Sequence, residues 1–132
     1  METIAPDDLA SRWLYLPPLE SYEVLHNYND GNAHVQLCGN IRSVGMIEYR
    51  FMVVVRRSCE HMPLLLITAE TSDALEREHP GKFALGLFRP NGHHTLDIAT
   101  EYGTFEGFAA AAGKLIDELD VAGMCRRAAQ ET

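Results

Sequence analysis

The stretch from Met46 to Arg57 alternates so regularly that it constrains the fold more than any other feature. One set of alternate positions is apolar or aromatic and the other is mixed: Ile47, Tyr49, Phe51, Val53 and Val55 against Met46, Glu48, Arg50, Met52, Val54 and Arg56. Because successive side chains of a strand point to opposite faces of a sheet, this pattern predicts a strand with one buried face. Such a strand needs partner strands on either side and a cover over its apolar face.

A hairpin is predicted just before this strand. Two alternating runs, 22–28 and 33–38, flank the turn sequence Asn29-Asp30-Gly31-Asn32, whose residues tolerate positive φ. Strict alternation predicts one shared face for Tyr22, Val24, His26 and Tyr28. Further along, Leu64 to Ile67 is apolar on both faces, which is typical of a central strand covered on each side. A second hairpin, 82–89 with 94–100, is predicted around Pro90-Asn91-Gly92.

Three helices complete the predicted elements. A short N-terminal helix begins near Pro6 and ends before Pro17-Pro18, and a short middle helix covers 71–79 with Asp73 as its cap. A long helix follows Gly103, with Thr104 as its cap. Its apolar stripe comprises Phe105, Phe108, Ala109, Ala112, Leu115, Ile116 and Leu119. Residues 120–130 either prolong this helix or form another short one.

The predicted fold class is therefore α+β. An antiparallel sheet of about five to six strands carries the short N-terminal helix, the short middle helix and the long C-terminal helix. Residues 1–132 form one α+β domain in this prediction, because 132 residues suffice for a single core and no linker or repeat interrupts them.

Charge and composition limit the expected partners. The formal net charge of -8 opposes binding to nucleic acid or to anionic membranes, which require clustered Lys and Arg. The first residues lack the pattern of a signal peptide, and no apolar run is long enough for a membrane span. The three cysteines show no motif spacing, as expected for free thiols in a reducing compartment. We therefore expect a cytoplasmic protein that binds neither nucleic acid nor membrane.

The order of elements resembles a known family. From Leu85 through Pro90-Asn91-Gly92 and Ile98 to the helix ending near Leu119, the pattern is similar to the class I type III secretion chaperones. That resemblance implies an acidic homodimer that holds a partly unfolded segment of a protein partner. The chain differs from the family in the extra apolar strand at Leu64 to Ile67 and in its very short first helix.

No catalytic, metal or cofactor motif is present. Cys59-Glu60-His61 supplies ligands without the remaining partners, His34 and Cys38 are too far apart along one strand face, and His93-His94 point to opposite faces. Cys38 and Cys125 are predicted to be packed thiols, and Cys59 an ordinary loop thiol. We therefore predict no cofactor, no metal and no catalytic residue.

One candidate pocket depends on His26 and Tyr28. A histidine on an otherwise apolar strand face is an exception that needs a partner, and Glu101 or Asp97 is available to supply it. The simpler interpretation is a buried histidine with its hydrogen bond satisfied. A pocket at His26 and Tyr28 would instead indicate a small-molecule-binding protein or a minor enzyme.

The preferred interpretation is a protein-interaction domain. The mixed face of the strand from Met46 to Arg57 carries Met46, Met52 and Val54, and methionines adapt to varied partners. These three residues are the candidate interface, unless a helix simply covers them. The sequence thus predicts a non-enzymatic protein-binding or adaptor domain, chaperone-like and homodimeric, with possible strand addition at the sheet edges.

Overall fold

The structure, a computed structural model, describes residues 17–57, 63–90 and 92–119. Six strands and two helices lie in these ranges: β1 (Leu19–Asp30), β2 (Ala33–Ser43), β3 (Glu48–Arg57), β4 (Pro63–Thr71), α1 (Asp73–Glu78), β5 (Phe83–Arg89), β6 (Gly92–Ala99) and α2 (Phe105–Glu118). One turn of 3-10 helix, Thr100–Gly103, precedes α2. The described residues thus contain two helices rather than the three expected. The predicted N-terminal helix and residues 120–130 lie outside the described ranges.

The strands form one antiparallel sheet in the order β1-β2-β3-β4-β5-β6. Each strand pairs with the one that precedes it in the chain, because short connections favour neighbours in sequence as neighbours in space. Gly31, at a φ of 62°, makes the tight turn from β1 to β2. The prediction of an α+β fold on an antiparallel sheet of this size is confirmed.

Apolar side chains are buried on both faces of the sheet. The face that carries α2 holds the larger cluster, which includes Val53, Ile67, Leu87 and Phe108. The opposite face holds a second cluster of buried residues: Cys38, Tyr49, Met52, Val54, Leu66 and Phe88. Strand β4 contributes to both clusters, which agrees with its apolar character on both sides.

A bulge in β3 overturns part of the predicted alternation. Tyr49 pairs with Glu70 and Phe51 pairs with Ala69, so one extra residue lies in β3 between these two pairs. The extra residue reverses the facing of everything that precedes it. Tyr49 consequently packs on the face opposite α2, while Phe51 and Val53 lie on the α2 face. The prediction that Tyr49 shares a face with Phe51 was wrong for this reason.

Strand β1 is irregular in the same way. Val24 pairs with Cys38 and His26 pairs with Leu37, so the register shifts between Val24 and His26. Val24 packs in the cluster opposite α2, whereas His26 lies on the side of Leu37, which belongs to the α2 cluster. The expectation of one shared face for Tyr22, Val24, His26 and Tyr28 was therefore wrong.

Side-chain caps determine where both helices begin. The Thr104 hydroxyl accepts a hydrogen bond from the Gly107 N–H at 3.1 Å, so the predicted cap of α2 is confirmed. Helix α1 is capped by Ser72, whose hydroxyl accepts from the Leu75 N–H at 3.2 Å. Asp73 is the first residue inside α1 rather than its cap, and its charge there complements the positive end of the helix dipole.

Candidate functional site

The connection between β2 and β3 exposes apolar side chains. Val44, Met46 and Ile47 are 54%, 86% and 39% exposed, and we refer to these three residues as the apolar tip. Ser43 stabilises the loop because its hydroxyl donates to the Ile47 carbonyl at 3.0 Å. Gly45, at a φ of 107°, allows the tight turn inside the loop. The hairpin therefore holds three apolar side chains in water at one end of the sheet.

The structure separates the three residues of the predicted interface. Met46 belongs to the apolar tip, whereas Met52 and Val54 are fully buried on the sheet face opposite α2. The bulge in β3 lies between Met46 and Met52, so the three do not continue a single row. Among these candidates, only Met46 is open to a partner.

His26 and Tyr28 lie together near the end of β1. Their ring centroids are 6.1 Å apart, and both side chains are exposed on the α2 side of the sheet. Partial burial, followed by the charges of Asp30 and Asp117, raises the pKa of Tyr28. Asp97 was one of the two partners considered for His26, but its carboxylate accepts a hydrogen bond from the Tyr102 hydroxyl at 2.5 Å. The three grooves described below are lined by other residues.

A buried polar cluster lies on the face opposite α2. Glu70 Oε1 accepts a hydrogen bond from the Thr68 hydroxyl at 2.6 Å and lies 3.1 Å from His93 Nε2. The Glu70 side chain is only 8% exposed, and that of His93 is 29% exposed. We refer to Thr68, Glu70 and His93 as the Glu70 cluster. A buried carboxylate is uncommon, and one that is held by two partners is positioned precisely.

Gly86 makes this cluster possible. It pairs with Thr68 in β4, so it lies in β5 between the strand that carries Glu70 and the strand that carries His93. A Cβ atom at residue 86 would lie 2.6 Å from Glu70 Oε1, 2.6 Å from Thr68 Oγ1 and 3.1 Å from His93 Nε2. The absence of a side chain therefore lets the carboxylate and the imidazole meet above β5.

Two aromatic rings border the Glu70 cluster. The His93 ring stacks on Phe88 with centroids 4.0 Å apart. Tyr49 pairs with Glu70 across β3 and β4, and burial, followed by the charge of Glu70, raises the pKa of its phenol. The stacking contact fixes the orientation of the His93 ring, and the raised pKa of Tyr49 favours the neutral form of its phenol.

The order of the contacts argues against nucleophilic catalysis. In a hydroxyl–imidazole–carboxylate triad the imidazole lies between the other two groups and takes the proton from the hydroxyl. Here the carboxylate lies in the middle, and the Thr68 hydroxyl donates to Glu70. The arrangement is suited to presenting a carboxylate, since both neighbours use the same oxygen, Oε1.

A groove of about 190 Å³ opens beside the Glu70 cluster. Apolar and hydroxyl side chains line it together with Glu70: Ile47, Thr71, Ser72, Leu75, Ala84, Thr95 and Ile98. We refer to it as the Glu70 groove. Ile47 is also part of the apolar tip, so the groove and the tip form one continuous surface.

Two other grooves are present in the part of the chain that the structure describes. One of about 230 Å³ lies where β2 and β3 stop pairing, and its lining is Leu25, Asn40, Ile41, Glu48, Tyr49, Arg50 and Phe51. The other, of about 220 Å³, lies beside α2 and is lined by Leu85, Leu96, Tyr102, Ala111, Lys114, Leu115 and Glu118. Neither contains a buried charged side chain.

The cysteine and histidine candidates have different surroundings. Cys38 is completely buried, and burial raises the pKa of its thiol to about 12. His34 is also buried, and its Nδ1 lies 3.1 Å from Asn29 Oδ1. No group of three or more His, Cys, Asp or Glu in the described ranges is arranged to hold a metal ion. Cys59, His61 and Cys125 lie outside those ranges.

Both edge strands are irregular. Strand β1 has register shifts at three places along its pairing with β2, and β6 has one between its partners Leu85 and Gly86. Bulges of this kind twist an edge strand and oppose the addition of a further strand. The geometry of both edges therefore opposes the strand addition considered from the sequence.

No family model, curated protein or solved structure matches this chain. Among the residues with a described structure, no helix combines the length and the apolar character needed to cross a membrane.

Sequence reasoning missed the Glu70 cluster, although two signals were available. Glu70 ends an apolar run in β4, where a charged residue is an exception. Gly86 interrupts the alternation of β5, and a glycine inside a strand often marks a close approach of other groups. Neither signal identifies its partner, because the contact between Glu70 and His93 spans two neighbouring strand pairs.

Proposed function

We propose that this chain is a non-enzymatic protein-binding domain, and that its partner docks on the apolar tip. The exposure of Val44, Met46 and Ile47 supports the proposal, because every other valine, isoleucine and methionine side chain in the described strands is at least partly buried. Exposed apolar side chains that are grouped in one short loop mark an interaction surface more reliably than a scattered single residue. The loop is held by a hydrogen bond from Ser43, so a partner meets a preformed surface.

The proposal includes a chaperone-like role, in which the partner segment is extended or partly unfolded. The tip continues into a groove, and this shape fits an extended segment of a partner better than it fits the flat surface of a folded partner. Three side chains alone are also too few for a stable dimer, whose interface buries about 800 Å² on each partner. A homodimer therefore needs more surface than the tip, and the exposed Leu25 and Phe105 are further apolar contacts for a second copy.

Peptide selection tests the proposal without a known partner. Random peptides displayed on phage are selected on the wild-type protein and then measured against a tip variant with Val44→Ser, Met46→Ser and Ile47→Ser. We expect the tip variant to bind the selected peptides at least about tenfold more weakly, since each lost apolar contact contributes on the order of 1 kcal/mol.

The matched control is Leu96→Ser, since Leu96 is 44% exposed but lies in the groove beside α2. The control should bind the peptides as well as the wild type. If the selected peptides bind the tip variant with the same affinity as the wild type, the role of the tip is refuted. An equal loss of affinity in the control would refute it too.

A further inference from the structure

We infer that the Glu70 groove receives the lysine side chain of a partner segment docked on the apolar tip. The inference rests on the proposed function and adds the chemistry that the partner must present. Glu70 is the one buried acidic side chain among the described residues, and it opens into the groove that adjoins the tip.

The carboxylate retains capacity for a ligand. Both hydrogen-bonding neighbours, Thr68 and His93, use Oε1 of Glu70. Among the residues described by the structure, none donates a hydrogen bond to Oε2. A carboxylate offers about four acceptor positions, so an ammonium group can bind Oε2 without displacing either neighbour.

The walls of the groove fit the rest of a lysine side chain. Ile47, Leu75 and Ile98 supply apolar surface for a four-carbon stem, which lysine buries readily while its charged end reaches a polar group. The hydroxyls of Ser72 and Thr95 line the same groove and can accept the remaining ammonium protons. A groove of about 190 Å³ has room for one such side chain.

Charge favours the same ligand. The chain has a formal net charge of -8, which attracts a cationic segment and repels an acidic one. Lysine fits the groove better than arginine, because a compact ammonium group matches a single free carboxylate oxygen while a planar guanidinium needs two. The partner segment is therefore expected to combine apolar residues for the tip with a lysine for the groove.

A small-molecule titration tests the groove without any partner. Butylammonium chloride is added to 15N-labelled protein, and the amide resonances of Thr71, Ser72 and Thr95 report binding. We expect butylammonium to bind about tenfold more tightly than ethylammonium, because two further methylenes are buried, and 1-butanol to leave these resonances unmoved. Absent shifts with butylammonium, or equal affinity for both amines, would overturn the inference without the need for any variant.

Two variants then assign the binding to Glu70. In Glu70→Gln, which keeps the shape of the side chain, affinity for butylammonium should fall at least about tenfold, as expected when a charge-assisted hydrogen bond becomes a neutral one. The control Glu118→Gln changes an exposed carboxylate at a different groove and should bind like the wild type. Unchanged affinity in Glu70→Gln would refute the inference.

Peptides separate this inference from the proposed function. In tip-dependent peptides, replacement of lysine by norleucine should weaken binding to the wild type at least about tenfold and leave binding to Glu70→Gln unchanged. If tip-dependent peptides are insensitive to this replacement, the inference that the groove receives a partner's lysine is overturned, while the proposed function stands. If butylammonium binds at Glu70 but no selected peptide depends on the tip, the proposed function is refuted, and so is the inference that a partner's lysine enters the groove. The groove would then be assigned to a free amine.

Discussion

His93 Nε2 lies 3.1 Å from Glu70 Oε1, although strand β5 runs between the strands that carry the two residues. The contact exists because residue 86 has no side chain. The buried Glu70 carboxylate therefore depends on Gly86. It needs hydrogen-bonding partners, and the glycine provides the space in which they meet.

Substituting Gly86→Ala should destabilise the protein. The new Cβ would lie 2.6 Å from Glu70 Oε1 and force the carboxylate away from His93. We expect a loss of about 1–3 kcal/mol in the free energy of unfolding, measured by urea titration. The control is Gly113→Ala in α2, where no atom lies within 4 Å of the added Cβ. That variant should be more stable by about 0.5–1 kcal/mol, because alanine favours a helix over glycine. Equal effects of the two substitutions would contradict the role of Gly86.

Cys38 should resist thiol reagents in the folded protein. Burial raises the pKa of its thiol to about 12, from an ordinary value of 9.0. Near neutral pH the reactive thiolate is therefore on the order of a thousandfold scarcer than in the unfolded chain. The measurement is the rate of reaction with a disulfide reagent, with Cys59→Ser and Cys125→Ser present so that Cys38 alone reports. A folded-state rate within about tenfold of the rate in urea would contradict the burial of Cys38.

The protein should lose stability at high pH as its tyrosines ionise. Burial, followed by the hydrogen bond to Asp97, raises the pKa of Tyr102 to about 12, and the pKa values of Tyr28 and Tyr49 are also raised. Since the unfolded chain releases these protons near pH 10 and the folded chain retains them, the free energy of unfolding falls as pH rises from about 10 to about 12. Urea midpoints across this range measure the effect, and tyrosinate absorbance follows the ionisation itself. In Tyr102→Phe the fall should be shallower, and an unchanged slope would show that Tyr102 does not contribute.

A second loss of stability is expected in mild acid. Burial, followed by the charge of Arg56, lowers the pKa of His34 below its ordinary 6.5. Between these two pKa values the unfolded chain binds a proton that the folded chain does not, so stability falls as pH drops below about 6.5. We expect His34→Gln to flatten the dependence of the urea midpoint on pH between about 7 and about 5. The control His94→Gln changes an exposed histidine and should retain the wild-type dependence.

The oligomeric state also tests the predicted homodimer. Size-exclusion chromatography with light scattering, over a wide concentration range and at two salt concentrations, gives the native mass directly. A dimer built on apolar contacts should persist at high salt, because screening weakens charge pairs and leaves apolar burial intact. Leu25→Glu should shift such a dimer toward monomer, since it places a charge at one of the exposed apolar contacts available to a second copy. A strict monomer at every concentration would contradict the homodimer prediction.

Much of the secondary structure follows from the sequence alone. Alternation in 46–57 and 33–38 predicts strands because a strand places successive side chains on opposite faces, which is a local property of the backbone. The Gly31 turn and the Thr104 cap are predictable for the same reason, since each depends on residues a few positions apart. The cap of α1 was assigned to Asp73 instead of Ser72 because neighbouring residues with similar capping ability compete for one position.

Only the tertiary structure decided which side chains share a face and which of them meet. The bulges in β1 and β3 arise from pairing with a neighbouring strand, so no pattern within one strand reveals that Val24 and His26 lie on opposite faces. The Glu70 cluster likewise needs three adjacent strands in one register, with Gly86 between a carboxylate and an imidazole. Local periodicity determines the elements because it acts through the backbone of each segment, whereas register is determined by packing between segments distant in the chain.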